Sequence, residues 1–231
     1  MYFSKRTYGV IAGASILTMA IIAMFSYGYV FEKLIVKGDP IETFNNLKSS
    51  YNIFVTGIIG WAAILLLDVL VAWSLHHFFK ELNPGLSLLT AMLRIVYSMG
   101  LAYAIFQLVP IVPLLGSPTE RYGLVLMKIK SFELIWSKSL IIFGFHLIGL
   151  GFVVSKVVNN FNKFGYLIVF AGLCYVLLNL VKVTFPSLAE GIVMAELILS
   201  LPMAMAEIGL GFWLLTKGRK AYALNRKELL I

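Results

Sequence analysis

Cysteine is almost missing from this chain, with Cys174 as its one copy. That excludes an intramolecular disulfide and any Cys-rich metal or redox motif. Charge is scarce as well: Asp, Glu, Lys and Arg make up 13% of the residues, where a soluble domain carries about a quarter. The sequence also lacks a G-x-x-x-x-G-K-[ST] phosphate loop, an H-E-x-x-H zinc motif and a G-x-S-x-G elbow, each of which would mark a specific chemistry. "GLGF" has neither the third glycine nor the strand context of a dinucleotide fingerprint. His76 and His77 are adjacent, so they do not share a helix face as two metal ligands would. No cofactor motif is present, and nothing makes an enzyme the leading reading.

What the chain has in excess is apolar surface. Hydrophobic residues are 60% of 231, and mean hydropathy is +0.91. They are gathered into long runs, and about 20 consecutive apolar residues cross a bilayer. Six runs emerge, over 8–31, 53–78, 86–115, 137–158, 164–183 and 191–216. They are continuous and not alternating, which indicates helices rather than barrel strands. The expected fold is all-α: a polytopic membrane protein with a six-transmembrane-helix bundle as one membrane domain over 1–231, ending in a basic tail at 217–231. The first run exceeds the apolar core of about 7–15 residues in a signal peptide. Its small residues Ala12 and Ala14 stand at its start, so it reads as an uncleaved first helix.

A net charge of +8 in a soluble protein would point to nucleic acid. Here the basic residues lie in connections and tails, where membrane topology explains them and no nucleic-acid partner is implied. With the N-terminus inside, ten lysines and arginines fall on the cytoplasmic side and eight outside, Arg94 being within a span. The inner connections are short and the tail "KGRKAYALNRK" is compactly basic. Both termini are therefore expected in the cytoplasm of a bacterial cell, with the lipid bilayer as the main partner and anionic lipid as a partner of the tail. Trp73, Trp136 and Trp213 fall near span ends, where indole rings prefer to sit.

Two connections carry more than a turn. In "GDPIETFNNLKSSYN", Asp39 is placed as an N-cap, Pro40 at the first helical position and Glu42 two residues on, which predicts a short helix. "ERYGLVLMKIKSFELIW" mixes apolar residues with Lys128, Lys130 and Glu133, predicting an amphipathic segment lying on the outer surface before the fourth span. Gly9 and Gly13 have the G-x-x-x-G spacing of a helix-dimer face. The two halves of the chain show no internal repeat, against an inverted-repeat transporter.

Charge inside the spans is the informative feature. Asp68 interrupts "LLLDVLVAW", Arg94 lies in the third span, His146 in the fourth, and Glu196 and Glu207 in the sixth. An Asp or Arg at a helix centre costs about 2.5–3.5 kcal/mol on insertion scales, so such groups face the bundle interior and pair. At about 1.5 Å of rise per residue, Asp68, Arg94 and Glu207 fall at similar depth, with His146 near them. Around Arg94, the residues Ser87, Thr90, Tyr97 and Ser98 share one face. Glu196, Ser200, Met203 and Glu207 share another, as do Tyr175, Asn179 and Lys182. Two tiers are predicted: an inner one of Asp68, Arg94, Glu207 and His146, and an outer one of Lys182, Glu196 and Asn179. Two carboxylates and one arginine leave the inner tier one negative charge in excess. Either His146 is protonated or one acid holds a proton.

Six stretches occur in order along the chain: "KLIVKGDPIETFNNL", "LLLDVLVAWSLHHFF", "LSLLTAMLRIVYSM", "IIFGFHLIGLGFVVSK", "FGYLIVFAGLCYVL" and "MAEIGLGFWLLTKG". On these the chain resembles the bacterial integral membrane proteins grouped as domain of unknown function family 4386. The resemblance covers most of the chain, and 116–137 departs most. It implies that an Asp, an Arg, a His and a Glu recur in corresponding spans, here Asp68, Arg94, His146 and Glu207. It implies no reaction. Three functions stay open: binding or conducting a small solute, ion or proton through the charged cluster; a structural or regulatory protein whose charges lock the helices; and an intramembrane enzyme using His146 with a carboxylate.

Overall fold

The computed structural model describes residues 4–117, 121–156 and 162–216. The basic tail at 217–231 lies outside the described residues. Ser4 caps helix α1 (Lys5–Ala23) by accepting from the Thr7 amide, and the helix runs on through a π-helical stretch, Met24–Phe31, into the single turn α2 (Glu32–Leu34). Gly38, at φ +85°, makes the turn that follows. The short helix expected after it is α3 (Pro40–Ser49), and Asp39 Oδ1 accepts from the amides of Ile41 at 3.0 Å and Glu42 at 2.9 Å. Next come α4 (Tyr51–Phe79), α5 (Pro84–Leu108) capped by Asn83, the short α6 (Ile111–Leu115) and α7 (Tyr122–Ser155). Helix α8 (Asn162–Thr184) leads through a 3₁₀ turn, Pro186–Leu188, to α9 (Ala189–Thr216).

Six of these segments are long and apolar enough to cross a membrane: Lys5–Leu34, Tyr51–Phe79, Pro84–Leu115, Tyr122–Ser155, Lys163–Thr184 and Gly191–Thr216. The side-chain distribution agrees with their length. Ile21, Met24, Leu66, Leu197 and Leu201 are mostly exposed on the outward faces, while Asp68, Arg94, His146, Ser74 and Ser87 are buried. That inversion suits a chain whose surroundings are hydrocarbon. The fold is an all-helical, multi-pass bundle.

The spans are arranged in chain order. Each packs against the next, and the sixth closes against the first, so the described spans form a ring. Glycines set how closely the backbones approach. A Cβ on Gly144 would come within 2.6 Å of the Gly172 carbonyl oxygen, and one on Gly151 within 2.6 Å of that of Gly165. These two pairs, seven residues apart on each helix, zip α7 to α8. Gly13 meets the carbonyl of Gly211 in the same way, joining the first span to the last.

Several expectations change. The amphipathic segment is not a separate surface element: α7 starts at Tyr122 and continues through the fourth span. Val125, Ile129 and Phe132 recur on one helical face and are buried, with Phe44 of α3 against Tyr122 at 5.0 Å, so the early turns share the bundle's core. The helix of the third span is interrupted after Leu108, because Pro110 lacks the amide hydrogen that would bond the Phe106 carbonyl. Gly9 and Gly13 face Phe78, Leu214 and Gly211 within the chain, which occupies the supposed dimer face. Trp136 falls inside α7 and not at a helix end, whereas Trp213 stands in the last turn of α9. Trp136 packs on Trp61 at 5.0 Å, and Trp213 is buried against Phe78 and Phe79.

Candidate functional site

Three consecutive spans deliver one contact set. Asp68 projects from α4, Arg94 from α5 and His146 from α7, and all three are buried. Arg94 Nη2 donates to Asp68 Oδ1 at 2.5 Å, and Arg94 Nη1 lies 3.2 Å from His146 Nε2. On the other side of the imidazole, Nδ1 is 2.8 Å from the Thr90 carbonyl oxygen. The guanidinium carbon stands 5.3 Å from the Phe143 ring centroid, a cation–π contact. Arg94 Nε is buried and has no hydrogen-bond partner.

These contacts assign the histidine's hydrogen. An arginine can only donate and a carbonyl oxygen can only accept. His146 therefore carries its proton on Nδ1, presents a lone pair at Nε2, and is neutral. The charge count now changes. Asp68 and Arg94 cancel each other, which leaves Glu207 as the acid without a cationic partner in contact.

Among the described residues, Glu207 makes no hydrogen bond or ion pair with the Arg94 set. Its Oε1 accepts from the Tyr175 hydroxyl at 2.7 Å, linking α9 to α8. Both residues are half-buried, unlike the closed-over Asp68, Arg94 and His146. Phe143 joins the two groups, its ring 4.9 Å from that of Tyr97 and 5.2 Å from that of Tyr175. The expected inner tier is thus two adjoining units: Asp68–Arg94–His146, and Glu207–Tyr175. Tyr175 was visible on its helix face in the sequence, but its partner was not.

The flanking polar residues support the first unit. Ser98 Oγ donates to the Arg94 carbonyl at 2.8 Å and Thr90 Oγ1 to that of Ser87 at 2.9 Å. Both satisfy their hydroxyls on their own helix, as buried Ser and Thr commonly do. Tyr97 is buried one turn from Arg94. Of the outer tier, Lys182 and Glu196 form an ion pair between α8 and α9. Asn179 is not part of it and donates instead to the Tyr175 carbonyl at 2.9 Å.

Above Asp68 lies an aromatic layer that sequence reasoning missed. Trp61, two turns before Asp68 on α4, packs with Phe31, Phe132 and Trp136, and Tyr27 stacks edge-on against Trp136. The period of seven between Trp61 and Asp68 was a readable signal. Among the described residues no three His, Cys, Asp or Glu side chains converge as a metal site would require.

Comparison with known proteins adds a family. The family described as Domain of unknown function (DUF4386) matches residues 11–218, and the chain belongs to it. Five of the six spans, most of the first, and the four intramembrane residues Asp68, Arg94, His146 and Glu207 fall inside that match. An uncharacterized protein of Archaeoglobus fulgidus is 28% identical over 175 residues, covering 76% of this chain and 89% of the relative. No solved structure matches.

Proposed function

We propose that this family member binds or conducts a small solute, ion or proton through the polar interior of its helical ring. The observation behind this reading is the convergence of charged and titratable side chains from five of the six spans: Asp68, Arg94, His146, Tyr175 and Glu207. Helix packing alone needs far fewer, since each charge raises the cost of insertion. The bundle sits in the cytoplasmic membrane with both termini inside, which directs Lys182 and Glu196 to the outer face and the tail to anionic lipid. Reconstitution into proteoliposomes tests the reading. Solute or ion flux, or thermal stabilisation by a bound solute, is expected for wild type and lost in Asp68→Asn and Glu207→Gln. Unchanged readouts in both variants sink it.

A structural reading keeps one specific support. In the Asp68–Arg94–His146 unit most donors and acceptors are already matched, which suits a clasp between spans. On that reading Asp68→Asn with Arg94→Gln is tolerated better than Arg94→Gln alone, because the unpaired buried charge does the damage.

A further inference from the structure

Resting on that reading of a ligand-binding interior, we propose a division of labour. Glu207 is the group that takes up and releases a proton, and the seam between α8 and α9 connects it to the end where Lys182 pairs with Glu196. Asp68, Arg94 and His146 form a fixed clasp beside it.

Charge and hydrogen bonding carry the first half. Both nitrogens of His146 are committed, one to the Thr90 carbonyl and one to Arg94, and Asp68 is neutralised by Arg94 in contact. Protonating His146 would break its bond to Arg94, and protonating Asp68 would leave the buried Arg94 charge unbalanced. Glu207 is held differently. Its one hydrogen bond among the described residues is from a hydroxyl, and a tyrosine can serve either state of a carboxyl, donating to the anion or accepting from the acid. The proton binds reversibly to a carboxylate oxygen of Glu207, so no co-reactant is needed. A single positive charge is also what balances the interior, since the Asp68–Arg94 pair sums to zero.

Tyr175 is the group hydrogen-bonded to Glu207 among the described residues. The other titratable or charged groups of α8 are Cys174, with Lys182 toward one end and Lys163 and Tyr166 toward the other. The first span carries Lys5, Arg6 and Tyr8 at one end and Tyr27, Tyr29, Glu32 and Lys33 toward the other, with glycines 9 and 13 against α4 and α9 between them. The turn Pro186–Leu188 has no titratable side chain. Across the ring stand Asp68, Arg94, Tyr97 and His146.

Packing carries the second half. Both interfaces that flank the seam are backbone-tight: Gly165 and Gly172 lock α8 to α7, and Gly211 locks α9 to the first span. Between α8 and α9 no such glycine pair occurs among the described residues; Gly209 would meet only the ring of Phe164. The seam instead carries polar side chains along its length: the Lys182–Glu196 ion pair, then buried Asn179 on the α8 face shared by Lys182 and Tyr175, then the Tyr175–Glu207 hydrogen bond. Pro202 lies within α9 along this stretch. Lacking an amide hydrogen, it leaves the Ile198 carbonyl four residues earlier without its helical partner. Glu196 and Glu207 are separated by about 16 Å of helix.

Infrared difference spectra of the full chain in lipid vesicles, taken as pH is stepped, test both halves. The wild-type spectrum should contain a protonated-carboxyl stretch that is lost in Glu207→Gln and shifts in Tyr175→Phe, which removes the hydroxyl donor while keeping the acid. Asn179→Leu should slow deuterium exchange of that band several-fold without abolishing it. A band that survives Glu207→Gln, or one that sodium displaces at fixed pH, overturns the proton site. Exchange unaffected by Asn179→Leu overturns the seam. Flux through wild-type vesicles that persists in Glu207→Gln likewise overturns the site while leaving a conducting interior standing. A titrating Glu207 band in a protein that passes no solute or ion supports the site and removes the conducting function.

Discussion

Arg94 Nη1 stands 3.2 Å from His146 Nε2, and the opposite ring nitrogen is 2.8 Å from the Thr90 carbonyl oxygen. This relationship fixes the imidazole as the neutral Nδ1–H tautomer. Nitrogen-15 spectra of histidine-labelled protein should therefore show His146 with one protonated and one bare nitrogen throughout the pH range in which the bundle is folded. An imidazolium signal at His146 would contradict the geometry.

Removing one partner of the clasp is expected to be worse than removing both. Arg94→Gln or Asp68→Asn should each destabilise by about 3–5 kcal/mol, the usual consequence of an unpaired buried charge. The double variant should cost less than the sum of the two. Thermal or denaturant unfolding in a fixed detergent reads the cycle, and strict additivity would exclude a direct pair.

Gly144→Val and Gly172→Val should each weaken the α7–α8 pair, because a Cβ at either site meets a backbone carbonyl at 2.6 Å. Overpacking of this kind costs about 1–3 kcal/mol. Gly123→Ala is the control, since nothing lies within 4 Å of its added Cβ; it should leave unfolding unchanged or raise it slightly.

Asp39→Ala should lower stability by about 1 kcal/mol through loss of an N-cap. Hydrogen exchange should rise at the amides of Ile41 and Glu42, which the carboxylate accepts from. Exchange unchanged at both amides would argue against the cap.

Orientation is read by labelling. In a Cys174→Ser background, Ser49→Cys should react with a membrane-impermeant thiol reagent added to intact cells. Arg6→Cys should react only after the membrane is opened. Both positions are exposed and lie at opposite ends of the bundle. The reverse pattern would invert the topology.

The spans were legible because insertion demands long apolar runs, and a run needs no knowledge of its neighbours. Depth was legible too, because helical rise converts residue number into height; it brought Asp68, Arg94 and Glu207 to similar levels with His146 near them, and the first two with His146 do meet. Rotation was not. Whether Glu207 turns toward Arg94 or toward Tyr175 depends on how α8 and α9 dock, which no single run encodes. The same gap hid the role of Gly13, whose partner Gly211 is nearly the whole chain away. The start of α7 was misread for a different reason. Lys128, Lys130 and Glu133 made its first turns look like surface, although the apolar face of those turns is continuous with the core.

The ion pair between Asp68 and Arg94 spans only 26 residues of chain and joins two consecutive helices. The second and third spans can therefore leave the translocation machinery as a helical hairpin with opposite charges already matched. Neither helix has to enter lipid carrying a bare charge, a penalty of about 2.5–3.5 kcal/mol apiece. His146 arrives with the next span and completes a contact that is already in place. Glu207 comes last and has no such companion; it can enter the bilayer as an uncharged acid. Order of synthesis thus separates the side chains that must be paired from birth from the one that is left open to exchange.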